Sequence, residues 1–530
     1  MHIMIKRILI AGAGALAIAG CQDLTVPNDN TPSVEQVFSN GGDLEGAVGT
    51  VFRVFWGVTQ GDRSGNETTP VALAGIGEEL TSADIGTVNL HEVIQEPRVP
   101  YNNYGAGQWI NRKPWYDLLE VTATTTDALK ALDNGVRVGA PTATRPNGLR
   151  TDRARIFAKM MQGLAHIYTG MLFNQGYTRD ETMDIAFEDY EFKPGKEVVA
   201  FGIAKLEEAI AIATTSSVDT LPTTWINGQA LTTKDLIKVM NSYIARAMVY
   251  SARNPADRAA VNWAKVLTHV DAGVTAPFGQ QADNSIIGTR SIYVQRTQLS
   301  TNARVDNHIV GPSDTSGAYQ AWLALPLSAR TDFQVRTTDR RIHGAAGPAT
   351  NGKIIGYLAT QTMTSTRGTY MWSRYRGVRY GTLYYNTGFI QTMTPLEMDF
   401  IRAEAKYRLG DRAAAVVILN KTRTQNNLPA VTLTGPPPGT GCVPRKENGA
   451  CGNLFDALMY EKRIELYGLE AIIPFADYRG WGRVLQGSMI EFPVHGRELQ
   501  ALGLPVYSFG GDLPGSAPAP VGPFPNGGGG

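Results

Sequence analysis

Little in this sequence serves metal or nucleophilic chemistry. Only 3 Cys and 7 His occur in 530 residues, and no second Cys pair or nearby His completes the four-ligand set of a zinc site. His91-Glu92 looks like the start of a helical zinc-protease motif, but Gln95 stands where the second imidazole would have to share the face. No Gly-x-Ser-x-Gly elbow occurs, and the Gly435 to Gly441 stretch lacks the Gly-Lys-Ser/Thr ending of a phosphate loop. Charge of one sign is missing too. Lys and Arg number 49 against 48 Asp and Glu, and no basic stripe interleaves with aromatics, which excludes the electrostatic footprint of a nucleic-acid binder. After residue 20 no uncharged apolar run approaches the roughly 20 residues of a membrane-spanning helix.

What is present begins at the N-terminus. Lys6 and Arg7 precede a short apolar stretch, Ile8 to Ala19, which closes on Ile18-Ala-Gly-Cys21. A charged end, an apolar core and small residues before a cysteine form a lipoprotein signal. We expect residues 1-20 to be removed and Cys21 to carry the lipid. Several acyl chains hold firmly, since each buried methylene contributes roughly 0.8 kcal/mol. Gly12-Ala-Gly14 resembles a dinucleotide fingerprint in letters alone, because it lies inside this signal. Lipidation leaves Cys442 and Cys451 in a Pro/Gly-rich loop, and in an exported, oxidising setting two leftover thiols most simply pair as a disulfide. Metal ligation is the weaker alternative.

Apolar residues make up 43% and charged residues 18%, as in ordinary globular chains. The 57 Gly, 21 Tyr and 8 Trp suggest long aromatic-bearing loops on a more regular scaffold. Met398 to Arg423 reads as two helices about a Gly410-Asp411 turn, with Ala403, Ala405 and Ala413 allowing close approach, a tetratricopeptide-type hairpin. Similar pairs are expected near 153-213 and 236-272; in the first, Leu206, Ile210 and Ile212 stand against Lys205, Glu207 and Glu208. The fold class is therefore mainly α. Residues 276-395 have little helical periodicity and carry β-prone pieces such as Ser291-Ile-Tyr-Val and Gly381-Thr-Leu-Tyr-Tyr, so long loops and small hairpins are expected there. Residues 21-42 read as an extended tether, 43-510 as a single domain, and 511-530 as a flexible tail.

Four phrases resemble the SusD/RagB family of outer-membrane nutrient-binding lipoproteins, from the lipobox to about residue 510. Cys21-Gln-Asp-Leu-Thr-Val-Pro-Asn is similar to the family's mature start. Arg402-Ala-Glu-Ala-Lys-Tyr-Arg-Leu-Gly-Asp with Leu419-Asn-Lys-Thr-Arg423 is similar to its helical pair ending in LN-x-x-R. Within 454-500, Tyr460-Glu-Lys-Arg-Ile-Glu-Leu-Tyr-Gly-Leu-Glu and Phe475-Ala-Asp-Tyr-Arg-Gly-Trp-Gly482 resemble its C-terminal block, and Phe492-Pro-Val-His-Gly-Arg-Glu-Leu its closing phrase. Gly480 replaces a usual Arg, His495 sits near a usual second Pro, and the Cys442 to Cys451 insertion lengthens the preceding loop. The resemblance implies a non-catalytic, outward-facing outer-membrane lipoprotein that holds an oligosaccharide or similar nutrient. It further implies delivery to a SusC-like TonB-dependent transporter, with helical pairs facing or framing the partner and the irregular portion supplying the ligand site. It implies no cofactor.

Pyranose faces present C–H groups that pack on aromatic rings while the hydroxyls find polar partners. Two loop clusters offer that mixture: Tyr101 and Tyr104 with Trp109, and Trp322 with Tyr370, Trp372 and Tyr375. Trp115, Trp263 and Trp481 read as structural. Glu461 and Glu465, four apart on one helical face, invite a glycan-hydrolase reading, against which they read as parts of an ion network with Arg463 and Asp477. A lipid-anchored glycan hydrolase and a peptide-binding or protein-assembly helical repeat are the alternatives.

Overall fold

The computed structural model describes residues 34–61, 69–84, 90, 93–104, 109–183, 191–283, 285–286, 288–298, 303–381 and 388–518. Cys21 and the signal stretch lie outside them, as do His91, Glu92 and residues 382–387. The scaffold is helical. Asn40 starts the first long helix, Gly41–Thr59, its side chain accepting from the amides of Gly42 and Asp43. Leu44, Val48, Val51, Phe52 and Phe55 then recur at helical spacing and are buried. Phe55 meets Tyr168 of the helix Thr151–Leu172 edge-on, with ring centroids 4.8 Å apart.

Thr151–Leu172 packs on Gly195–Thr215 through four glycines. A Cβ on Gly202 would stand 2.6 Å from the Gly163 carbonyl oxygen, and one on Gly170 would stand 2.3 Å from that of Gly195. No larger residue fits without separating the two backbones, so this contact depends on missing side chains. Thr233–Tyr250 follows, opened by a reciprocal Thr232–Asp235 capping box, and then Trp263–Asp271. Pro395–Arg408 and Arg412–Gln425 form the next hairpin, capped by Thr394 and Asp411. Gly410 turns between them at a φ of 89°. Leu454–Glu465 and Ile472–Trp481 complete the frame. No helix among the described residues is long and apolar enough to cross a membrane.

Strands are few. Among the described residues four two-stranded antiparallel ladders pair 80–81 with 304–305, 175–176 with 193–194, 278–282 with 388–393, and 355–357 with 375–377. The expected helical scaffold with small hairpins is therefore what forms. One local expectation is corrected: Ser291-Ile-Tyr-Val, taken for a β-prone piece, leads into a helix, Ile292–Gln298. The Ser291 hydroxyl accepts from the Val294 amide at 2.9 Å, a side-chain cap that favours the helical turn over the strand propensity of Ile, Tyr and Val.

Three buried ion clusters tie the helices to the 454–481 segment. Arg246 reaches Glu397 and Glu470, both at 2.7 Å. Arg258 reaches Glu404 at 2.6 Å and Asp477 at 2.8 Å, and Lys462 also binds Asp477. Arg341 joins Asp339, Glu461 and Glu465, while Arg423 takes the other oxygen of Glu461. Burial pushes the Glu404 carboxyl up, but the Arg258 guanidinium outweighs it and holds the group at about 2. The ion network expected of Glu461, Glu465, Arg463 and Asp477 is thus divided. Arg463 stands apart, donating to the Gly77 and Glu78 carbonyls with its guanidinium 3.7 Å from the Tyr478 ring centre. The rings of Trp115, Trp263 and Trp481 are buried in the core.

Candidate functional site

Between the helical frame and the solvent lies a layer of loops and short helices, and its centre is aromatic. On Ala318–Ala324, Tyr319 and Trp322 are one turn apart and stack, with centroids at 6.1 Å and planes 17° from parallel. Phe333 lies 5.7 Å and His308 5.6 Å from the Trp322 ring. The indole N–H donates to the Thr331 carbonyl at 2.7 Å, and the Arg330 guanidinium covers a ring face at 4.6 Å. Trp322 is consequently only 6% exposed.

A second loop docks against this cluster. The Thr369 hydroxyl donates to the Arg330 carbonyl at 2.5 Å. Half-buried Trp372 donates through its indole N–H to the Thr364 carbonyl at 3.1 Å, and its own carbonyl accepts from Asn307 at 2.9 Å. The Tyr370 hydroxyl accepts from the Glu96 amide at 3.3 Å. The Thr369–Arg330 bond joins the loop of Tyr370 and Trp372 to the segment whose arginine covers Trp322; Tyr370 and Trp372 are half-buried and Trp322 is buried.

Of the other expected aromatics, Tyr375 and Tyr101 are buried elsewhere. Tyr375 is 1% exposed and its hydroxyl accepts from the Val335 amide, so its ring belongs to a second core with Val335, Ile355 and Tyr467. Expected in a loop, it falls instead on a strand whose inward face buries it. Tyr101 is buried against the C-terminal segment, its amide donating to the Phe509 carbonyl. Tyr104 is 68% exposed, with its hydroxyl on the Val506 carbonyl. Trp109 opens the helix Trp109–Asp133, and its side chain lies outside the described residues.

Polar and charged groups surround the aromatic centre. Asp332 takes Arg374 and, at 3.0 Å, the Gln361 amide. Behind His308, burial and the Asp306 charge raise the Glu78 carboxyl to about 7 against the pull of His308 and Arg463. Burial disfavours the His308 cation, yet Glu78 and Asp306 lift it to about 10, so it is charged at neutral pH. Glu461 and Glu465, the pair that invited a hydrolase reading, are both held by the Arg341 fork. Sequence reasoning missed Tyr319, Phe333 and the arginines of the layer. The spacing of Tyr319 and Trp322 on one helical turn was the available signal.

The architecture matches known proteins. A SusD-like carbohydrate binding protein from Bacteroides vulgatus superposes with a TM-score of 0.52 at 14% identity, covering 85% of this chain and 84% of that one. A SusD superfamily protein from Bacteroides fragilis gives 0.52 at 15% identity over 88% and 98%. The chain has the SusD-like fold. A laminarin binding SusD-like protein also superposes at 0.52, with 13% identity over 89% of this chain and 99% of that one. No family model and no curated protein matches the sequence. The three phrases within 402–499 that resemble SusD/RagB proteins thus sit on the SusD-like fold, with 454–481 at the junction of the three buried ion clusters, while the phrase at Cys21 lies outside the described residues.

Proposed function

We propose that this chain is a cell-surface lipoprotein, anchored through Cys21 in the outer membrane, which binds a glycan in its loop layer and passes it to a SusC-like TonB-dependent transporter. The observation that supports the binding step is the docking of the loop that carries half-buried Tyr370 and Trp372, through Thr369, on the Arg330 carbonyl beside the stacked Trp322–Tyr319 pair in a SusD-like fold. Half-buried rings with polar neighbours suit a sugar face, and a packed layer beneath keeps them in place before the ligand arrives. The carbohydrate-binding and laminarin-binding proteins of the same fold support this ligand class. The proposed role is capture without bond cleavage, since Glu461 and Glu465 are engaged by Arg341.

The test is retention of the purified protein in gels containing a panel of glycans, with reducing-end analysis of each glycan afterwards. Retention with unchanged glycan supports capture; shortened products would replace it with hydrolysis. Cys21→Ser is expected to release the protein from the membrane fraction in high-salt buffer, and continued sedimentation would contradict the lipid anchor. Co-purification of a TonB-dependent channel with the membrane-extracted wild type tests the delivery step.

A further inference from the structure

Arg304 lies on the short strand 304–305 and is fully buried. Its Nη2 donates to the Thr362 hydroxyl at 2.9 Å, whereas Nε and Nη1 are buried with no acceptor among the described residues. Buried Arg479 likewise leaves its Nε without an acceptor among the described residues, but both of its Nη groups donate, to the Ile490 and Tyr250 carbonyls. Strand 375–377 packs beside Arg304 and brings two more guanidiniums. Arg374 and Arg376 are two apart and share a face. Arg376 is half-buried, and its Nε also lacks an acceptor among the described residues. Arg374 is 25% exposed and is held by Asp332. Burial, and after it the charges of Arg376 and Arg374, push Arg304 down to about 10, with Asp332 opposing.

Even so, Arg304 remains protonated at neutral pH. A water molecule could accept its free N–H groups, but it would not balance the charge of three neighbouring guanidiniums, of which Arg374 alone is ion-paired, to Asp332, among the described residues. The chemistry missing is an anion with oxygens for a planar fork. The location is the loop layer itself. Arg304 binds Thr362, two residues before the carbonyl that receives Trp372, and Asp332 follows the carbonyl that receives Trp322. We propose that Arg304, Arg374 and Arg376 form an anion-recognition subsite beside the aromatic rings, which takes the carboxylate or sulfate group of an acidic glycan. This rests on the glycan-binding reading. Arg374 and Arg376 offer the accessible donors, and Arg304 supplies a fixed positive field from behind, undiluted by water.

Two experiments together test it. In the first, melting of wild type, Arg376→Ala and Arg304→Met is compared in chloride, sulfate and glucuronate at matched ionic strength. Wild type is expected to melt higher in sulfate or glucuronate, because a ligand of the folded state alone stabilises it. Arg376→Ala should lose that increment. Arg304→Met should lose it too while melting no lower than wild type in chloride, since it removes an under-compensated charge. An absent increment in wild type, or an equal one in Arg376→Ala, overturns the subsite. In the second, gel retention compares dextran and laminarin with dextran sulfate, alginate and polygalacturonate. Acidic polymers should be retained, with affinity falling about tenfold or more in Arg376→Ala and weakening with salt. Preference for sulfated or for uronate polymers identifies the source of the anion. Retention of neutral glycans alone, unaffected by Arg376→Ala, overturns this inference and leaves glycan binding standing. Retention of none of the polymers counts against the glycan reading, and the melting comparison then decides the anion subsite by itself.

Discussion

Arg246 and Arg258 in the helical frame and Arg304 in the loop layer are all buried and solve opposite problems. Arg246, Arg258 and Arg341 are each forked onto two or more carboxylates, whose charges lift them above the ordinary arginine value against the opposing cost of burial. Arg304 makes no ion pair among the described residues and is pushed down instead by burial and the charges of Arg376 and Arg374, with Asp332 opposing. An arginine closed by carboxylates needs nothing further, and Arg463 and Arg479 in the frame are held by main-chain carbonyls, whereas in the proposed subsite a cluster short of negative charge takes an anion from outside the chain. Removing one partner of a closed buried pair leaves an uncompensated ion, which is the costly event.

The largest effect that would sharpen this contrast is therefore in the frame. Glu404→Gln, which strips Arg258 of one carboxylate and disturbs the Trp481 contact, should cost about 3 to 5 kcal/mol in chemical denaturation. A loss under about 1 kcal/mol, typical of an exposed pair, would break the contrast. The Glu404 carboxyl is held at about 2 against 4.5 when unfolded. Its stabilisation is accordingly present above the unfolded value and disappears as pH falls through about 2.

Next in size is Trp322→Ala, expected to cost about 3 kcal/mol of stability, because its ring is packed between Tyr319, Phe333 and Arg330. A variant that melts like wild type would move Trp322 from the floor of the site to its surface. Cys442 and Cys451 are joined, nine positions apart. Closing so short a loop contributes about 2 to 3 kcal/mol in a chain-entropy account, so the double Ser variant should lose that much. Alkylation of denatured protein should find those two thiols only after reduction.

A smaller, pH-dependent effect belongs to Glu79. Burial raises its carboxyl to about 7 despite hydrogen bonds from Tyr293 and the Gly468 amide. A folded value above the unfolded 4.5 means that the folded state holds the extra proton. Stability should rise as pH falls through about 7 toward the unfolded value. Glu79→Gln should flatten part of that rise, leaving the share of Glu78, and an unaltered profile would contradict the assignment. The smallest effect is on the ligand: Trp372→Ala should weaken a retained glycan about two- to tenfold with little change in melting, since a ring contact contributes about 0.5 to 1.5 kcal/mol.

The frame was legible because each of its features is local. Apolar periodicity marked the helix of Leu206 and Ile210, and Gly410-Asp411 marked the turn between the last hairpin's helices. The Gly163–Gly202 contact was not legible, since it depends on which faces of two helices meet. The aromatic site was half legible. Trp322 and the loop of Tyr370 and Trp372 are joined through Arg330 and Thr369, but nothing local separated them from Tyr375, whose burial follows from strand pairing with 355–357. The arginine subsite could not be read at all, because Arg304, Asp332 and Arg374 are remote in sequence and meet only through strands two or three residues long.

Hydrogen exchange of the protein, free and saturated with whichever glycan the gels retain, places the ligand on one of the two regions directly. The account predicts slowed exchange in 303–335 and 359–378, with the helical pairs 195–271 and 395–425 unchanged. Protection confined to those helical pairs, with the loop layer exchanging as in the free protein, would contradict it.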